Sequence, residues 1–207
     1  MIFPILISEF LWSLGQNVES SIYGHLSTSS LAAYTLTCPI QGLFVGALSG
    51  LSAAAAIMIG KQLGKKDYDG AYNDSKKIMY LGLVLSICIS FILIIFAGNY
   101  TKLYKVDDYV KDIGKTILIV FALYAPVKVE NMILGGGIIR SGGNTKLIMI
   151  IDIIGIWCVG IPLCLIATYI FKWDIVGIYA LLTTEEVFRL IVSLIVFKKR
   201  KWLISLS

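Results

Sequence analysis

Carboxylates set inside long apolar stretches are the residues of this sequence that could carry chemistry. Glu9, Glu130 and Asp152 each lie among apolar neighbours, with no opposite charge within a turn on their own segment except Lys128 beside Glu130. Those two are two positions apart and point to roughly opposite sides of a helix. A charged side chain at the centre of a bilayer costs about 2.5–3.5 kcal/mol, so each such group must face protein or water and find a partner. A carboxyl group in that setting exchanges a proton, or holds Na⁺ together with hydroxyl and carbonyl oxygens. Either chemistry couples an ion gradient to movement, and the plainer alternative is that each acid ties a neighbouring helix. Glu9 belongs to a stripe. Glu9, Ser13, Gln16 and Ser20 recur at spacings of four, three and four, with Trp12 and Tyr23 close by, so they share one helical face. On a surface helix that face would meet water; inside a bundle it lines a polar cavity. Asn131 follows Glu130 directly. Glu185 and Arg189 stand at i and i+4 with the acid first, and read as a structural ion pair near the cytoplasmic end, with Glu186 three residues from the same arginine.

The elements that must position these groups are membrane helices. The chain has 207 residues, 57% hydrophobic and 15% charged, against roughly 25% charged in soluble domains. A bilayer core takes about 20 apolar residues per helix, and six segments qualify, at about 2–23, 31–59, 70–97, 113–139, 147–171 and 175–197. The third is the most plainly lipid-facing. The organising hairpin is 135–146. Gly135, Gly136 and Gly137 let the fourth helix pack closely or unwind, Gly142-Gly143-Asn144 makes a tight turn needing positive φ, and Thr145 caps the next helix. Asp67 or Asp69 caps the third helix. Gly42, Gly46 and Gly50 form a ridge for packing against a neighbouring helix.

Basic residues set the orientation. Lys61, Lys65, Lys66, Lys76, Lys77, Arg140, Lys146 and the tail from Lys198 to Lys201 fall on one side. Five lysines fall on the other, where aspartates offset most of them. The positive-inside rule makes the first side cytoplasmic and puts both termini there. The tail, ending at Trp202, reads as an interface anchor. The net charge of +5 then reflects membrane topology, not nucleic-acid binding. Cys38, Cys88, Cys158 and Cys164 read as small buried hydrophobes. Gly60-Lys61-Gln62-Leu63-Gly64-Lys65-Lys66 lacks the spacing of a phosphate loop. The start Met1-Ile2-Phe3-Pro4 is no secretory signal, the sequon Asn99-Tyr100-Thr101 carries no weight, and a lone His25 with no nucleophile or ligand cluster argues against an enzyme.

In this order and spacing the residues resemble the C-terminal half of a multidrug and toxic compound extrusion (MATE) transporter of the bacterial type. The matching stretches are 4–15 with Glu9 and Trp12, Tyr23-Gly24-His25 through Leu31-Ala32-Ala33, 53–64 with Ala71, 137–146, and 152–163 with Trp157 and Pro162. The resemblance implies an all-α six-helix lobe of a twelve-helix antiporter, related to its partner lobe by a pseudo-two-fold along the membrane normal. It implies export of cationic, amphipathic compounds in exchange for Na⁺ or H⁺ by alternating access, with no cofactor beyond that ion. It gives Glu9 the place of a coupling glutamate and makes Glu130, one residue out of register, the nearest match to an acid of the fourth helix. Trp12, Gln16, Asn131 and Asp152 complete the expected cavity. The implied setting is a bacterial inner membrane, with lipids, a small organic cation and a second lobe as partners. A full transporter is about twice as long, and the abrupt start at Ile2 reads as a truncation, or else as a half-size protein that pairs with another half. Two alternatives stand beside it. A lipid-linked oligosaccharide flippase shares the architecture but would show a more cationic cavity, for which Lys128 alone qualifies; the other is a non-transporting membrane scaffold or remnant.

Overall fold

A computed structural model describes residues 2–200 and 202–203. They form an all-α membrane bundle of six helices joined by short turns: α1 Ile2–Leu26, α2 Thr28–Gly64, α3 Tyr68–Thr101, α4 Asp108–Ile139, α5 Thr145–Ile170 and α6 Ile175–Lys198. By length and composition α2, α3, α4 and α5 can each cross a membrane. The helices outrun the apolar segments that seed them. At 1.5 Å per residue, the 37 residues of α2 span about 55 Å against a hydrocarbon core of about 30 Å, so its polar ends stand outside the core. Three acceptor side chains fix helix starts. Ser27 Oγ accepts from Ser30 N at 3.0 Å, Asp67 from Gly70 N at 2.9 Å and Asp174 from Gly177 N at 3.0 Å.

α4 is the centre of the bundle and packs against α2, α3 and α6. Its Ile117, Leu118, Ile133, Leu134, Ile138 and Ile139 are fully buried. From Met132 to Ile139 it widens into a π-helix, with hydrogen bonds reaching five residues back. Ser52 of α2 donates its hydroxyl to the Met132 carbonyl at 2.8 Å within this stretch. Gly137 makes the close approach possible: a Cβ there would sit 2.7 Å from the Ser52 carbonyl oxygen and 3.0 Å from Ala55 Cβ. α5 carries two more π stretches, Ile154–Gly160 and Ile166–Ile170.

The turn between α4 and α5 rests on Gly143 at φ 83°. Its cap differs from expectation. Asn144 holds the cap position without a side-chain bond, and Thr145 is the first, buried residue of α5. Lys66 and Lys172 close α2 and α5 in the left-handed region, at φ 60° and 52°.

Three further readings are corrected. The ridge of Gly42, Gly46 and Gly50 meets nothing: a Cβ at any of them would have open space, because that side of α2 faces outward. Cys38, Cys88 and Cys158 are exposed on the outer faces of their helices, and only Cys164 is buried. Trp202 is no interface anchor; it is fully buried, stacked on Phe197 at 5.5 Å, and donates Nε1 to the Phe197 carbonyl at 3.1 Å. Lys201, also assigned to that anchor, lies outside the described residues.

Candidate functional site

The charged residues converge on one cavity of about 270 Å³ in the half of the bundle nearest the α4–α5 turn. α1 brings Ser8, Glu9 and Trp12, α4 brings Lys128, Asn131 and Arg140, α5 brings Asp152, and α6 brings Glu186 and Arg189. Three carboxylates and three cations thus share one wall, and the structure pairs them across helices rather than along them.

Asp152 is the junction. It accepts from Ser8 Oγ at 3.0 Å, hydrogen-bonds Arg189 Nη2, and lies 3.6 Å from Arg140 Nη2. Arg140 also reaches Glu9 at 3.3 Å, so a single guanidinium on α4 links α1 to α5. Arg189 touches Glu186 at 3.5 Å and Glu185 at 3.6 Å. Glu186 accepts from Lys128 Nζ at 3.3 Å and from Asn131 Nδ2 at 2.8 Å, while the same amide donates to the Glu186 carbonyl at 2.7 Å. Two polar atoms within this assembly stay buried without a partner, Asn131 Oδ1 and Arg189 Nε. Chemically, the cavity is a balanced set of fixed charges. Each of the three carboxylates lies within 3.6 Å of at least one of the three cations.

The wide turns of α4 help build this wall. In an unbroken α-helix, Arg140 would lie about 120° around the axis from Lys128. Each wide turn takes up extra residues and rotates the remainder of the helix about its axis, and Arg140 lines the same cavity as Lys128. Its side chain keeps only 22% of its exposure. Counting Arg140 only among the basic residues of the cytoplasmic side missed this, and α-helical spacing could not have shown it. The expectation that Lys128 is the one cation of the cavity is corrected by the same fact, since Arg140 and Arg189 line it too.

The expected stripe on α1 is displaced by one residue. Glu9 and Trp12 border the cavity, but Ser13, Gln16 and Ser20 do not. The face α1 buries runs through Ser8, Gly15, Glu19, Ile22 and Tyr23. Gln16 instead donates to Glu19 Oε2 at 3.4 Å. Polar residues flank the stripe on both sides, Ser8 and Glu19 on one and Asn17 and Ser21 on the other, so spacing alone did not choose between the faces.

Glu130 is off the cavity. It is 6% exposed, turned toward α3, where a Cβ on Gly82 would lie 3.5 Å from its Oε1, and that oxygen has no partner. Asn131, one residue on, points the other way, into the cavity. Glu185 and Arg189 form the expected ion pair at 3.6 Å, but as part of a larger network that also takes in Glu186 and Asp152. Glu185 packs against Gly155 and Gly160 on α5, and Arg189 hydrogen-bonds Asp152 and Glu186 but not Glu185. Trp157 acts between helices, donating Nε1 to the Leu11 carbonyl of α1 at 3.3 Å. Among the described residues no group of three His, Cys, Asp or Glu side chains could hold a metal ion.

Comparison with known proteins points one way. The family model described as MatE matches residues 4–166. The chain is 21% identical over 200 residues to a probable multidrug resistance protein NorM of Thermotoga maritima, across 97% of this chain and 43% of that one. It is 29% identical over 161 residues to a probable NorM of Buchnera aphidicola, across 77% of this chain and 35% of that one. A solved structure of a multidrug resistance MATE family transporter in an outward-facing conformation superposes with a TM-score of 0.88 at 21% identity, covering 99% of this chain and 45% of that one. The chain spans less than half the length of the curated relatives it matches.

Proposed function

The chain belongs to the MatE family, and on that premise we propose that it is one six-helix lobe of a cation-coupled antiporter that exports cationic, amphipathic compounds. The whole transporter pairs it with a second lobe of comparable size, either of the same polypeptide or of a second half, and works by alternating access in a bacterial inner membrane. The basic ends of α2 and α6 face the cytoplasm, as the positive-inside rule requires. Relatives named multidrug resistance proteins support the substrate class.

The observation that carries the reading is the double use of Arg140 between Glu9 and Asp152. Binding of Na⁺ or H⁺ at one carboxylate removes one of the two charges that hold Arg140, and binding at both frees it. Release of Arg140 loosens α4 from α1 and α5 together, so ion occupancy is translated into helix movement. Trp12 at the cavity rim offers an aromatic face to an organic cation, an attraction of about 0.5–2 kcal/mol. Efflux of a fluorescent organic cation from cells carrying the native protein tests this. Asp152→Asn and Arg140→Gln should each abolish efflux at normal expression, and unchanged efflux in both would refute the coupling role.

The cavity's three cations favour one second reading, a lobe that handles an anionic, lipid-linked sugar. Reconstituted vesicles that translocate a lipid-linked oligosaccharide, and leave organic cations alone, would support it over the first.

A further inference from the structure

The end of the bundle where α2 and α6 finish and α3 begins carries charge that the cavity does not use. Among the described residues its carboxylates are all engaged. Asp67 caps α3, Asp69 holds Arg200 at 3.1 Å, and Asp74 accepts from Lys77 at 2.9 Å and from Gln62 at 2.5 Å. Two more contacts fix the end of α6 beside α3: the Arg200 guanidinium lies 4.0 Å over the Tyr72 ring, and Phe197 stacks on Tyr72 at 4.9 Å. What remains at this end is a set of exposed ammonium groups. Lys61 lies near the end of α2, Lys65 and Lys66 in the turn after it, and Lys198 and Lys199 at and just past the end of α6. No carboxylate among the described residues lies within 4.0 Å of any of these five. At the opposite end, Lys111 pairs with Asp108 at 2.8 Å, and four aspartates stand among five lysines. The asymmetry is therefore in net charge: four aspartates offset most of the five lysines there, while the basic end keeps a large excess of ammonium groups.

Just inside this basic rim the surface turns apolar. Ile57 and Met58 of α2 and Leu81 and Leu85 of α3 are all exposed. A row of uncompensated ammonium groups above exposed aliphatic side chains matches one chemistry: a phosphate headgroup attached to acyl chains.

We propose that this end of the bundle is a binding surface for anionic phospholipid, whose headgroup phosphates neutralise Lys61, Lys65, Lys66, Lys198 and Lys199 while its chains lie along Ile57, Met58, Leu81 and Leu85. The assignment rests on the bundle's place in a membrane and is independent of what the cavity transports. One basic residue near an anionic surface changes lipid association by about fivefold, so partial use of five gives a preference on the order of tenfold or more. The attraction is largely screened at 1 M salt, where the Debye length is about 3 Å.

The test is electron spin resonance of the intact protein in phosphatidylcholine bilayers, with spin-labelled phosphatidylglycerol or phosphatidylcholine as the probe. Phosphatidylglycerol should be enriched at the protein surface on the order of tenfold at low salt and lose most of that enrichment at 1 M salt. The variant K61Q/K65Q/K66Q/K198Q/K199Q should bring the ratio near unity, and the opposite-end control K102Q/K105Q/K115Q should leave it intact. Equal association of the two probes with the unmodified protein, or an equal fall in the control, overturns the proposal. The salt titration needs no variant, so a failure of either variant to fold leaves a decisive measurement standing.

Discussion

Arg189 should be energetically coupled to Asp152 across helices more strongly than to Glu185 along its own helix. At an effective dielectric of 20 and a separation near 4 Å, each pair gains about 4 kcal/mol of Coulomb attraction before desolvation, so charge alone does not separate them. Hydrogen bonding does. Arg189 Nη2 donates to Asp152 Oδ1, whereas its approach to Glu185 at 3.6 Å makes no hydrogen bond. A hydrogen bond to a charged group is worth about 1.5–3 kcal/mol. Both pairs are well buried, with side-chain exposures of 14% for Arg189, 13% for Asp152 and 8% for Glu185, so solvent screens neither strongly. Two double-mutant cycles in detergent, one with Asp152→Asn and Arg189→Gln and one with Glu185→Gln and Arg189→Gln, give the two coupling energies from reversible unfolding. The first should exceed the second by about 1.5 kcal/mol or more. Equal couplings, or a larger one for Glu185, would refute the cross-helix network and restore a simple i, i+4 pair.

Three other outcomes are expected from the packing. Gly137→Ala should cost about 1–3 kcal/mol, read as a lower unfolding temperature, because its Cβ would press on the Ser52 carbonyl at 2.7 Å; no loss would mean α2 and α4 are less closely packed. Lys172→Gly should raise stability by about 1 kcal/mol by relieving the left-handed conformation at the end of α5, with a lowered unfolding temperature as the contrary result. Glu130→Gln should leave ion-coupled efflux intact, since Glu130 faces α3 and lies off the cavity wall; loss of coupling in a well-folded E130Q variant would return Glu130 to the coupling path.

Much of the architecture was legible because apolar length is a blunt and reliable signal. Six segments and a glycine turn at 142–144 were written in composition, although helix ends such as Thr28, Tyr68 and Asp108 were not, since capped polar turns extend beyond the apolar runs. The membership of the site was harder to read. Glu9, Trp12, Asn131 and Asp152 do border the cavity, while Gln16 and Glu130 face elsewhere. The errors have two physical sources. A helical stripe with polar residues on both flanks fixes a face only to within about 100°, one residue, which is why Glu19 went unnoticed beside Ser20. A π-helix changes the register of every residue after it, which hid Arg140. Partners across helices, such as Ser8 and Arg189 for Asp152, leave no trace in local spacing at all.

The most direct measurement is gradient-driven movement of an organic cation by the protein as the cell makes it, reconstituted in sealed vesicles with a Na⁺ or H⁺ gradient. Uptake that tracks the gradient and disappears in both Asp152→Asn and Arg140→Gln is the predicted result. Uptake that ignores the gradient, or that survives both substitutions undiminished, would contradict a coupling site built on Glu9, Arg140 and Asp152.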